Sequence, residues 1–134
     1  MLRLVKICNS VCSVPEPIPF ARESFTVTPL QGAALTEVGG KITAAVDYPE
    51  LIVMGKDIGG PTVVCFEVTG DMIFLADYAG EGEPTLGERV ALKCVGELPT
   101  AVCPDKIGCG KIIGLSEHEK LVYVKFDRKK EYEK

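Results

Sequence analysis

The chain has 134 residues, one domain's worth, since a single hydrophobic core usually holds about 100 to 150 residues. With 46% hydrophobic and 25% charged residues it can bury a sizeable core and lacks the polar, highly charged makeup of a disordered chain. The formal charge of −4 argues against nucleic acid as the direct ligand, because neutralising phosphates needs clustered Lys and Arg, and no apolar run approaches the roughly 20 residues of a membrane-spanning helix.

The opening MLRLVKICNSVCSV carries Arg3 and Lys6 ahead of a mildly apolar stretch that Asn9 and Ser10 interrupt, so it reads as a strand and not as a cleaved signal. Without such a signal the six cysteines are expected as reduced thiols, with disulfides the lesser reading. Pro15, Pro17 and Pro19 hold VPEPIP extended, because Pro fixes φ and biases its predecessor away from helix. Residues 1–23 are therefore expected to form an N-terminal strand and an extended arm.

From Ser24 onward the apolar pattern has period two, and each run is short and ends at a turn signal, as in strands. In LTEVGGKITAAV, Gly39-Gly40 separates two alternating runs and predicts a two-residue hairpin. LIVMG follows Pro49, and Gly59-Gly60-Pro61 breaks the chain before TVVCFEV, where Val64, Phe66 and Val68 share one face and Val63, Cys65 and Glu67 the other. Gly70-Asp71 then turns the chain into MIFLADY, a predicted second hairpin. AGEGEPTLGE is too polar and too rich in Gly to be a core element and reads as an exposed loop.

RVALKCV alternates Val90, Leu92 and Cys94 against Arg89, Ala91, Lys93 and Val95, so that one face is wet or meets a partner. KIIGL and LVYVKF are the last predicted strands, with SEHEK as the turn between them. No longer segment shows helical spacing of apolar residues. The expected fold is all-β, with about 7 to 9 short antiparallel strands in a small β-barrel or a β-sandwich. The barrel is slightly preferred. The domain spans 24–127, and 128–134 is a charged tail expected to fray.

Little in the chain points to catalysis. His118, the one histidine, lies in the polar turn between Glu117 and Glu119 with no nucleophile motif beside it, and reads as a surface residue. Cys8 with Cys12, and Cys103 with Cys109, could in principle converge on zinc, but the spacings are not those of tight CxxC turns. Positions i and i+4 of a strand stand about 13 Å apart, too far for one metal. Cys65 and Cys94 are expected to pack in the interior. Residues 67–105 hold eight Asp or Glu against Arg89 and Lys93, a local excess of −6 that reads as a solvated surface rather than a cation site. There is no EF-hand spacing, phosphate-binding loop or GxGxxG, and VGGK around Gly39 is better explained by the hairpin. No catalytic, cofactor-binding or metal residues are assigned, the chain is not expected to be an enzyme, and partner-contacting residues are not legible.

The order of the segments carries more information than any one of them. LQGAALTEVGGKITAAVDYPELIVMGKD, then VVCFEVTGDMIFLADY, then PTLGERVALKCVGELPTAVCPDKIGCGKIIGLSEHEKLVYVKFD resembles the small β-barrel head decoration, or capsid cement, proteins of tailed bacteriophages. The resemblance rests on Gly39, Gly40, Lys41, Pro49, Ile52 and Met54, then Gly87, Val90 and Leu92, and finally Val122, Val124 and Phe126, and it spans Ser24 to Asp127. The cysteine-rich start and the lysine-rich tail depart from that group.

The resemblance implies a virion protein, assembled in the host cytoplasm, that binds the outer capsid surface of a shell of major capsid protein and stabilises it. It also implies a homo-oligomer, possibly a trimer, with no nucleic acid, membrane or cofactor involved. On that reading the arm either completes its own barrel or adds a strand to a neighbour's sheet edge. Two other readings are another virion component, such as a head fibre base or a tail or baseplate adaptor, and a small cytosolic barrel that holds a ligand in its mouth. A metal-dependent or redox use of the cysteines ranks behind them.

Overall fold

The computed structural model describes residues 1–8, 14–55, 59–118 and 120–127. Eleven strands and one 3-10 turn make up the regular structure of these residues. The strands are β1 (Arg3–Ile7), β2 (Ile18–Ala21), β3 (Ala34–Val38), β4 (Lys41–Ala44), β5 (Leu51–Val53), β6 (Thr62–Glu67), β7 (Met72–Tyr78), β8 (Arg89–Val95), β9 (Leu98–Pro104), β10 (Gly110–Leu115) and β11 (Leu121–Phe126), with the turn at Arg22–Ser24. The all-β expectation holds. The tail 128–134 lies outside the described residues.

The later strands close into a five-stranded barrel in the order β7-β11-β10-β8-β9, and a parallel contact of Asp77–Tyr78 with Ala101–Val102 brings β9 back to β7. Closure leaves no edge within that ring. Strand β7 alternates as the sequence implies: Met72, Phe74, Ala76 and Tyr78 are buried and Ile73, Leu75 and Asp77 face out. Strand β11 does the same with Val122, Val124 and Phe126 inward. Phe74 sits at the centre, its ring 5.6 Å from that of Phe126.

The seam between β8 and β10 needs a glycine. At Gly108 a Cβ would lie 2.0 Å from the carbonyl oxygen of Val90, so a side chain there would push the two backbones apart.

The other sheet is open and five-stranded, in the order β2-β6-β5-β3-β4. Its β3–β4 hairpin turns on Gly39 and Gly40, which take φ of +59° and +81°, as a mirror-image turn of two left-handed residues requires. Leu51, Ile52 and Val53 of the central β5 are all buried because the sheet is covered on both faces. Toward the barrel, Ala34, Ile52 and Phe66 join the barrel's core, and Phe66 stacks nearly parallel on Phe74 at 6.2 Å. On the far face Leu35, Ile42, Leu51, Val53, Val63 and Cys65 form a second core, capped by Phe20, Phe25 and Val27 and by Leu98 from β9.

Three expectations change. The turn at Gly70-Asp71 makes no hairpin: β6 pairs with β2 and β5, β7 with β1, β9 and β11, so the turn is a corner handing the chain from the open sheet to the barrel. Face-to-face packing of Phe66 on Phe74 takes the place of edge pairing there. There are more strands than seven to nine, and one pairing is parallel. The strand not foreseen, β9, contains Pro99 and Pro104, which demote a run in any sequence reading.

The described residues among 1–23 also belong to the body. Strand β1 pairs with β7 and β2 with β6, so of the two uses open to the arm it completes its own fold. Pro19 lies on β2, an edge strand, where a missing N–H is tolerated.

Candidate interaction surface

The residues that bear chemistry are spread out. His118 is exposed in the β10–β11 turn, as expected for a surface histidine. Cys8 follows β1 and is exposed, Cys103 is half-buried on β9, and Cys109 is buried between β9 and β10, while Cys12 lies outside the described residues. Among the described residues no three of His, Cys, Asp and Glu stand close enough to share a metal ion.

Cys65 is buried, but Cys94 is exposed, against the expectation that both pack inside. Cys94 belongs to the end of the β8–β9 hairpin, where the register shifts between Lys93 and Cys94 and the alternation that would have pointed it inward is lost. Burial pushes the Cys65 thiol up to about 11 and the Cys109 thiol up to about 12, the latter also raised by nearby Asp127 and Asp47. Both are protonated at neutral pH and poor nucleophiles.

The barrel is packed with apolar side chains. Phe74, Val90, Val102, Ile112, Val122 and Val124 fill it and are all but inaccessible to solvent. Its openings lie outside. One, of about 290 Å³, is an acidic notch at the end of the open sheet, where Glu37, Glu50 and Glu67 meet Ile18, Phe20 and Tyr48. The Thr36 hydroxyl donates to Glu50, and the Tyr48 hydroxyl donates to the carbonyl oxygen of Asp127, 2.5 Å away. Burial, with Cys109, Asp127, Glu50 and Glu67 nearby, pushes the Tyr48 phenol up to about 12.

The outer wall of the barrel is a different kind of surface. Strand alternation sends Ile73 and Leu75 of β7, and Leu121 and Tyr123 of β11, outward, each half-buried. Two cross-strand rows run through them. In one, Arg3, Leu75 and Tyr123 stand side by side on β1, β7 and β11. Parallel to it, Lys125, Lys111 and Arg89 are consecutive partners on β11, β10 and β8, and Lys6 pairs with Ile73 on the β1 side.

The exposed Ile113, at a bulge in β10, completes a shallow recess of about 200 Å³ with Arg89, Lys111, Lys125, Phe126 and Asp127. Arg89 is held there by an ion pair to Asp127 and by donating to the carbonyl oxygen of Gly108 at 2.7 Å. The recess therefore carries two cations in excess.

Sequence reasoning marked one face of RVALKCV as wet or partnered but did not find this wall. Its only local signal is the outward half of KIIGL and LVYVKF, Lys111, Ile113, Tyr123 and Lys125, and nothing in the sequence says that the two strands and β8 are neighbours. No family model, curated protein or solved structure matches the chain.

Proposed function

We propose that this chain is a non-enzymatic head decoration protein of a tailed bacteriophage, residing on the virion, where it binds the outer face of the major capsid protein shell, stabilises it, and associates with copies of itself. The observation that carries the reading is the outer wall: apolar side chains left half-buried among cations on a barrel whose interior is already filled. A surface of that kind suits adhesion, in which an apolar centre with a charged rim provides the contact.

The order of segments from Ser24 to Asp127 supports the same reading. Each copy needs only about 1,600 Å² of buried surface in total, because many copies on a closed lattice act together. A closed barrel braced by a second sheet presents such a surface without losing much conformational entropy on binding. The filled barrel weighs against the alternative of a ligand held in the barrel mouth.

The test is cosedimentation of the purified chain with empty phage shells. Saturable binding at micromolar concentration, with shells that withstand higher temperature when coated, is the expected result. Absence of binding over a range of salt concentrations refutes the proposal. Electron cryomicroscopy of the particle separates decoration of the shell from a place in a fibre base or tail.

A further inference from the structure

The cationic row on the barrel wall is hard to explain as a feature of the monomer. Lys111 and Lys125 are direct cross-strand partners, and like charges opposite one another in a sheet destabilise it. Arg89, the next in the row, is occupied by Asp127, but among the described residues neither lysine has an ion-pair partner. Lys6 and Arg3 extend the positive charge across β1. This concentration stands in a chain whose formal net charge is −4. The chain's acid is concentrated in residues 67–105, which carry an excess of −6 even with Arg89 counted in.

That acidic stretch includes the exposed connection from β7 to β8. Glu81 and Glu83 are exposed there, and Leu86 is 60% exposed beside them. The base of the loop is anchored. Tyr78 donates to Glu88 at 2.7 Å, and Lys120 donates to the carbonyl oxygens of Gly80 and Gly82 at 2.9 and 2.7 Å. An anchored loop presents its two carboxylates and one apolar side chain with little entropy left to lose. The wall offers the complement, two unpaired ammonium groups around the exposed Ile113.

We propose that the Lys111–Lys125 recess of one copy receives the Glu81–Leu86 loop of a second copy, giving a head-to-tail contact. Two different surfaces meet in such a contact, so repetition gives a ring where the rotation closes and an open chain of copies where it does not. The inference deepens the self-association part of the proposed function and is independent of shell binding, since it is read on the purified chain with no shell present.

The test is sedimentation velocity on the full chain at about 50 mM and about 500 mM salt, because the Debye length falls from roughly 14 Å to roughly 4 Å over that range and the attraction between exposed charges weakens with it. The expected result is an oligomer at low salt that dissociates at high salt. Lys111→Glu with Lys125→Glu, and separately Glu81→Lys with Glu83→Lys, should each give monomers at low salt with unchanged far-ultraviolet circular dichroism. An equimolar mixture of the two double variants should form mixed species, since the acidic wall of one is complementary to the basic loop of the other, with closed rings only where the number of alternating copies is even. If the wall variant does not fold, the loop variant alone still decides, because its residues lie in an exposed loop. A wild type that is monomeric at low salt, an oligomer indifferent to the loop variant, or two variants that form no mixed species overturns the inference.

Discussion

The barrel and the open sheet solve the same problem, burying strands with alternating side chains, in opposite ways. The barrel closes on itself through the short parallel contact of β7 with β9, so each of its five strands is paired on both sides and needs one buried face. The sheet stays open and needs covers. The barrel lies on one face, and Phe20, Phe25 and Val27 on the other. Its β4 edge is shielded where Phe25 bridges to Ile42, and its β2 edge carries Pro19. The barrel can therefore leave a whole wall outside, whereas the sheet's most apolar strand, Leu51–Val53, is hidden on both sides. A surface for adhesion is free to develop on the closed half.

The comparison can be broken first at the cores. Phe74 is fully buried where barrel and sheet meet, so Phe74→Ala should cost about 4 kcal/mol by chemical denaturation, and Leu35→Ala on the sheet's far face about 3 kcal/mol. If Leu35→Ala instead costs more than Phe74→Ala, the stability centre lies in the sheet. A single unfolding transition for both variants is expected, because Phe66 and Ile52 belong to the same core as the barrel.

Alkaline pH comes next. The thiols of Cys65 and Cys109 and the phenol of Tyr48 titrate higher in the fold than their ordinary values of 9 and 10, so between those values and about 11 to 12 the folded state holds protons that the unfolded state has lost. Stability from these groups is therefore complete below pH 9 and declines as pH rises toward 12. Thermal unfolding followed by circular dichroism should show Tm level from pH 7 to 9 and falling above it. Tyr48→Phe should flatten the portion above pH 10. A Tm unchanged to pH 11 contradicts the burial of these groups.

The smallest effect is expected at the barrel wall. Arg89 and Asp127 are each about a third exposed, at 33% and 31%, so Asp127→Asn should cost no more than about 1 kcal/mol by the same denaturation assay. A loss of several kcal/mol would mean that the wall bears on stability as the cores do.

Where most strands run is legible along the chain, because burial on one face imposes a period of two that survives in any partner arrangement. The mirror-image turn at Gly39-Gly40, the polar loop before β8, and the alternation of MIFLADY and LVYVKF are local facts and are legible as such. Tertiary structure alone decided which strands are neighbours. It made Gly70-Asp71 a corner between sheets, admitted the proline-bearing β9 to close the barrel, and exposed Cys94 through a shift of register. It also brought Arg89, Lys111 and Lys125 into one row from three strands separated in the chain. Alternation says which way a side chain points relative to its own strand, whereas pairing depends on contacts between residues distant in sequence, and those contacts have no local signature.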